Sequence, residues 1–348
     1  MKKLSFVFGL LALLALASCE KPIGVPEVEN QGLKGLFVLN EGTFTFANST
    51  LTFYDPEADT SMNSMFYRVN EVPIGDVGQS LSLFNESLYI VVNNSNLIYK
   101  VNASTLEFQD KFDGFYSPRN ILSVSKDKAY VSDLMGNGIW IVNPTTGQKK
   151  GFLETGKPTE AMLKVGNEIF VTNWSNYYQP DVENNTVQVI DVLNDSLVAQ
   201  IQVSKEPNSL VLDAKNRLWV LCGGGYTGAL EPALFCIDAE TKTILKSFQF
   251  ESGSPSSLAI DRDNGILYFI NGGLYAMSVD ASALPSNPFV EAGLRSFYGV
   301  TVCPETHDVF VTDVKNYIQN GEVLRYSAEG RLKSSFMAGI IPHAMIFN

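Results

Sequence analysis

Histidine is nearly absent from this chain: His307 and His343 are the only two in 348 residues. A site built on several imidazoles is therefore excluded. Basic side chains are also few, 25 Lys and Arg against 37 Asp and Glu, for a formal charge of −12. With no basic face to replace phosphate counterions, this acidity argues against nucleic-acid binding. Cysteine occurs four times, with no CxxC or Cys/His spacing suited to zinc. Apolar stretches of membrane-spanning length are missing. Charged residues make up 18% and hydrophobic ones 45%, a globular composition that rules out disorder, collagen and a disulfide-dense miniprotein.

The N-terminus reads as an export signal over residues 1–18. Lys2 and Lys3 form a basic start, and the apolar run Leu4–Ala17 has the length of a signal core rather than a spanning helix. Leu16-Ala17-Ser18-Cys19 resembles a bacterial lipobox, which implies cleavage before Cys19 and acylation of its thiol. The mature charge would then be −14. Residues 19–34 contain Pro22, Gly24, Pro26 and Gly32 and read as a lipidated tether. The lipid would be the only membrane anchor. Cys222, Cys236 and Cys303 remain. In a symmetric hairpin register Cys222 and Cys236 stand three residues apart, so free buried thiols are expected.

A repeat of 41–48 residues organises residues 35–348. Each copy opens with a short alternating run, such as Leu81-Ser82-Leu83 or Leu258-Ala259-Ile260, followed by a polar turn. A second strand carries an aromatic at one fixed place: Phe37, Tyr89, Tyr130, Phe170, Trp219, Tyr268 and Phe310. A flat ring there fills the widening wedge between neighbouring sheets. The third strand ends in Asp55, Asn102, Asn143, Asp191, Asp238, Asp280 or, once, Ser327, side chains that bond the backbone two residues on. A fourth, more polar strand follows. Four-stranded units repeated seven times predict an all-β, seven-bladed β-propeller in one domain. The chain opens on a second strand near Gly35 and closes on a first strand, Ala344 to Phe347, so the C-terminal strand is expected to complete the first blade.

This topology gathers the loops between second and third strands at one mouth of the central channel, where function is usually carried. Four are long and aromatic, supplying Phe44, then Trp174, Tyr177 and Tyr178, then Tyr226, then Tyr317. Second strands end in Asn40, Asp133, Asn173, Asn271 and Asp313, with Asn93 just past Val92. Inner strands start with Gln79, Arg119, Asn120, Glu160, Asn208, Tyr298 and His343. Each group has a plainer reading. The Asn and Asp ends serve to stop strands, the aromatics cap blade cores, Gly223 to Gly225 form a bulge or turn, and Arg119 ties two blades together. His343 reads as a hydrogen-bonded rim residue, and His307 falls in a turn on the opposite face. The functional reading is a wide site of aromatic platforms and neutral donors and acceptors, suited to a large, polar, mostly uncharged ligand.

The repeated aromatic-Val-x-Asn strand, its loop and the following hydrophobic-x-hydrophobic-Asp strand resemble the YncE-like seven-bladed propellers over almost the whole mature chain. With the lipobox and the acidic domain, the chain resembles their lipoprotein branch from Bacteroides-type bacteria, often labelled surface-layer-like proteins, and most closely the BtuG-type cobalamin-binding surface lipoproteins. The resemblance implies a non-enzymatic protein at the outer membrane that captures a corrinoid and passes it to a BtuB-type TonB-dependent transporter. No cofactor is required; cobalamin is the bound ligand, its amides facing Asn and Gln and its methyl-rich faces lying on Tyr, Trp and Phe. An oligosaccharide also suits such a surface. An adhesion propeller that binds a protein or glycan on the same face is the other reading. Paired carboxylates drawn from Asp133, Glu160 and Asp313 would be the basis of an enzyme, but no histidine base beside a nucleophile and no GxSxG accompanies them.

Overall fold

A computed structural model describes residues 32–179, 182–225 and 231–348. The export signal, Cys19, most of the tether and Tyr226 lie outside the described residues.

Seven antiparallel sheets succeed one another along the chain. Blade 1 runs outward from Pro342–Phe347 through Leu36–Asn40 and Thr50–Asp55 to Thr60–Met62. Blades 2 to 5 begin at Gly78, Pro118, Met162 and Pro207, and each has four strands in chain order. Blade 6 comprises Ser256–Asp261, Ile266–Asn271 and Gly273–Ser278, and blade 7 again has four strands, from Phe297 to Ile340. The seven innermost strands pack side by side around a central axis. The protein is a seven-bladed β-propeller.

The repeated aromatics explain why the ring closes. Seven apolar clusters fill the seven wedges between successive blades, and each holds one of these rings, from Phe37 between blades 1 and 2 to Phe310 between blades 7 and 1. All seven are buried. Burying one such side chain stabilises by roughly 1.5–3 kcal/mol. Three of the four polar tips find a partner: Tyr89 Oη donates to the Pro144 carbonyl at 2.8 Å, Tyr130 Oη to Asp195 Oδ1, and Trp219 Nε1 to Asp213 Oδ2 at 3.0 Å.

Third-strand ends behave as expected. Asp55 Oδ1 accepts from the Glu57 and Ala58 amides, Asn102 Oδ1 from Ser104 and Thr105, and Asp238 Oδ1 from Glu240 and Thr241. Asp280 differs: it faces Lys215 at 2.8 Å.

The tail closes the ring. Val38 pairs with Met345 and Phe37 with Ile346. The Asn348 amide donates to the Gly35 carbonyl at 2.8 Å, and Asn348 Nδ2 donates to the Leu33 carbonyl at 2.6 Å. Leu33 is itself buried in the first wedge, so packing starts two residues ahead of Gly35.

Two features depart from the repeat. In blade 6 the outermost strand is reduced to a single bridge, in which Leu274 and Val290 exchange both backbone bonds. After blade 1 the chain forms a short helix, Met65–Asn70, that buries Met65 and Phe66 in the first wedge.

Cys222, Cys236 and Cys303 are free and buried, and Cys236 pairs with Trp219, three positions from Cys222. Burial pushes the Cys236 thiol up to about 11.

Candidate ligand-binding site

The starts of the inner strands meet at one mouth of the channel, around a cavity of about 520 Å³. Gln79, Arg119, Glu160, Trp174, Asn208 and Tyr298 line it, together with Glu41, His343 and a serine group, Ser209, Ser256 and Ser257. Six of the expected site residues are thus brought together.

Adjacent inner strands are stitched by small polar groups just below the cavity. Ser80 Oγ donates to the Arg119 carbonyl at 2.7 Å, Asn208 Nδ2 to the Pro255 carbonyl at 2.8 Å, and Ser257 Oγ accepts from the Val300 amide at 2.9 Å. Arg119 Nε donates to Glu160 Oε2 at 2.6 Å, which ties blade 3 to blade 4, and Asn120 Nδ2 reaches the Glu160 carbonyl at 3.3 Å. Both members of this pair are largely buried, so its charges are weakly screened.

Across the mouth, the Tyr298 ring lies between His343, at 4.8 Å, and Tyr317, at 6.0 Å in an edge-to-face contact. His343 Nδ1 approaches Glu41 Oε1 at 2.8 Å without the alignment of a hydrogen bond. Burial, reinforced by the Glu41 carboxylate, pushes the Tyr298 phenol well above the usual tyrosine range. It is therefore a neutral donor at any physiological pH.

The second-strand ends do other work. Asn40, Asp133, Asn173 and Asp313 are buried and hydrogen-bonded within the fold. Asn40 Nδ2 donates to Thr50 and Thr52, and its Oδ1 accepts from the Gly339 amide at 2.9 Å. A side chain at Gly339 would collide with Asn40 itself, so the latch requires glycine there. Asp133 accepts from the amides of Tyr116, Ser117, Met135 and Gly136 and from Trp140 Nε1. Asn173 bonds Pro158, Thr186 and Gln188, and Asp313 accepts from Ser296 and Lys315. These four are latches that hold loops to the ring. Asn93 similarly donates to Ser117 Oγ and the Pro118 carbonyl. Asn271 lies in a separate groove of about 450 Å³ beside Phe250 and Tyr275 and donates to the Ser252 carbonyl.

Above the cavity the long loops present Phe44, Tyr177, Tyr178 and Tyr317 to solvent, with Tyr177 85% and Tyr178 77% exposed. Tyr226 falls outside the described residues.

Sequence reasoning missed Ser256 and Glu206. Ser256 was accessible from the repeat, since it stands two residues before Leu258 as Gln79 does before Leu81. Glu206 precedes an inner strand with a left-handed backbone, φ 57°, and is buried. It accepts from Ser175 and from Asn184 Nδ2, at 2.6 Å, at the two ends of the Trp174 loop, while its carbonyl accepts from Gly223. Burial pushes its carboxyl up to about 7, with nearby Glu160 adding to the shift. Among the described residues no group of three or more His, Cys, Asp or Glu is placed to hold a metal ion.

These features define a class: a β-propeller with a ligand-sized polar cavity at one channel mouth and aromatic loops above it. The chain belongs to the family described as "Domain of unknown function (DUF5074)", matched over residues 34–344. No curated protein matches it in sequence. Among solved structures it is similar to a quinonprotein alcohol dehydrogenase-like protein from Bacteroides thetaiotaomicron, with TM-score 0.73 and 16% identity over 91% of this chain and 79% of that one. A Bacteroides fragilis protein provisionally described as a 6-phosphogluconolactonase gives TM-score 0.65 and 11% identity over 91% and 98%. Dihydro-heme d1 dehydrogenase NirN gives 0.57 and 10% over 90% and 75%. At these identities the likeness establishes the shared propeller fold.

Proposed function

We propose that this protein is a non-enzymatic capture protein that holds a large, amide-rich ligand, a corrinoid such as cobalamin, across the channel mouth. In this reading it is lipid-anchored at the outer membrane and passes the ligand to a TonB-dependent transporter. The observation that carries the reading is an asymmetry of exposed apolar groups. Ten large ones stand on the loops of the mouth, among them Phe44, Phe46, Tyr116, Tyr177, Tyr178 and Tyr317. At the opposite end the exposed ones are fewer: Leu193 in a turn, and Phe108, Ile244 and Leu332 at the first positions of outermost strands, among the described residues. A patch of this kind marks a binding surface. The carboxylates that acid–base catalysis would use are otherwise engaged: Asp133 and Asp313 hold turns and Glu160 pairs with Arg119.

The aliphatic Leu294 and Ile318 share this face and favour a second role for it, docking a protein. In the capture reading that protein is the transporter.

Purified protein mixed with cyanocobalamin should emerge red from gel filtration. Colourless protein would refute capture of a corrinoid. Replacing Trp174, Tyr177 and Tyr178 together by Ala should weaken retention at least tenfold while leaving the melting temperature within a few degrees, since Tyr177 and Tyr178 bury little. A collapse in stability would show instead that these rings cap the blade.

A further inference from the structure

Gln79 stands apart from the other polar groups of the mouth. It is only 8% exposed, it lines the cavity, and its side-chain amide has no hydrogen-bond partner among the described residues. The residue as a whole is buried but its amide atoms open into the cavity, where water satisfies them until a ligand group takes its place. The neighbouring inner strand presents a complementary half. Arg119 uses only Nε towards Glu160 Oε2, so both terminal guanidinium nitrogens and Glu160 Oε1 are without partners among the described residues. The Ser80–Arg119 bond holds the two strands side by side, so the unpaired groups face one space.

We propose that this cavity is a subsite for a neutral primary carboxamide of the ligand and that it selects against the corresponding carboxylate. The carboxamide oxygen accepts from Arg119, its N–H donates to Glu160 Oε1, and Gln79 completes the set as donor or acceptor. The flat Trp174 and Tyr298 side chains form walls for the group that carries the amide. A carboxylate would satisfy Arg119 but would meet Glu160 and Glu41 with no donor of its own, and the only other ionisable base in the lining is His343, beside Glu41. The inference rests on the capture reading only for the identity of the larger ligand; the subsite chemistry comes from the residues themselves.

The test uses two matched pairs at pH 8: cyanocobalamin against its monocarboxylic acids, in which one peripheral amide is hydrolysed, and benzamide against benzoate. Titration calorimetry reads the first pair, and shifts of the tryptophan indole N–H resonances read the second. In each pair that binds, the amide should bind at least about tenfold tighter than every acid that hydrolyses the inserted group. Gln79→Leu should cut amide affinity about tenfold, leave acid affinity nearly unchanged and preserve the melting temperature. Benzamide preferred over benzoate in a Gln79-dependent way, with no cobalamin bound, upholds the subsite and overturns the corrinoid reading. Equal affinities for amide and acid, an unaffected Gln79→Leu variant, or no detectable benzamide binding overturns the subsite.

Discussion

Asp133 separates the two roles a strand-end carboxylate can have at this mouth. Its two oxygens accept five bonds, from the amides of Tyr116 at 2.9 Å, Ser117 at 2.9 Å, Met135 at 3.1 Å and Gly136 at 3.0 Å, and from Trp140 Nε1 at 3.0 Å. Asp133→Ala orphans all five donors. Tyr116, Met135 and Gly136 lie in turns that water can reach, so those amides rehydrate at little cost. The Ser117 amide is buried, and the Trp140 indole is packed among Phe115, Tyr116 and Phe152, so these two donors stay unsatisfied. At roughly 1–3 kcal/mol for each, with the lost packing added, the variant should lose about 4 kcal/mol. Asp133→Asn keeps one acceptor but turns an amide N–H₂ towards the remaining donors, and should lose about 2 kcal/mol. Guanidinium unfolding followed by tryptophan fluorescence measures both. A loss below 1 kcal/mol for Asp133→Ala would refute the latch. So would a stably folded Asp133→Asn variant that no longer captures ligand, because the carboxylate would then be acting on the ligand itself.

Two further outcomes follow from other parts of the ring. Burial holds the Glu206 carboxyl near 7 instead of 4.5, so the folded protein keeps a proton that the unfolded chain releases. Its contribution is fully present below about pH 4.5 and is lost as the pH rises towards 7. The wild type should lose about 2–3 kcal/mol more than Glu206→Gln between pH 5 and pH 8, and parallel unfolding profiles for the two would refute the assignment. Deleting residues 342–348 removes the innermost strand of blade 1 and the Phe310–Phe347 and Met345 contacts of the last wedge. The truncated chain should lose protease resistance and cooperative melting, whereas sharp melting near the wild-type temperature would show that the ring does not depend on closure by its tail.

Strand order and ring closure were readable because both rest on local, repeated chemistry. One ring per wedge at a fixed strand position is visible in Phe37, Tyr89 and their counterparts, and so is the Asx turn after five of the seven third strands. The bridge at Val290 was not readable, because a single pair of backbone bonds leaves no alternation to detect. Nor was the helix at Met65–Asn70, whose six residues span less than two turns. At the site, the inner-strand starts were readable from their place in the repeat, and Gln79, Arg119, Glu160, Asn208 and Tyr298 do meet there. Which Asn and Asp turn inwards to the fold was not readable. The partner of Asn40 Oδ1, the Gly339 amide, lies 299 residues away, and that of Glu206 lies in another blade's loop.

This division of labour bears on how one ring can serve different ligands. A second strand ends where its own loop begins, so a side chain there reaches backbone donors of that turn and of the adjoining strands, as Asp133 and Asp313 do. Changing such a residue alters the fold before it alters recognition. An inner strand starts at the narrow axis, where the next residue along the rim belongs to another blade. Its side chain must pair across blades, as Arg119 does with Glu160, or remain unpaired like Gln79. In the proposed capture reading, recognition is therefore free to vary at positions such as Gln79, whose loss removes no internal bond. Stability is guarded at Asn40, Asp133, Asn173 and Asp313, which hold the loops that carry the aromatic platforms over the cavity.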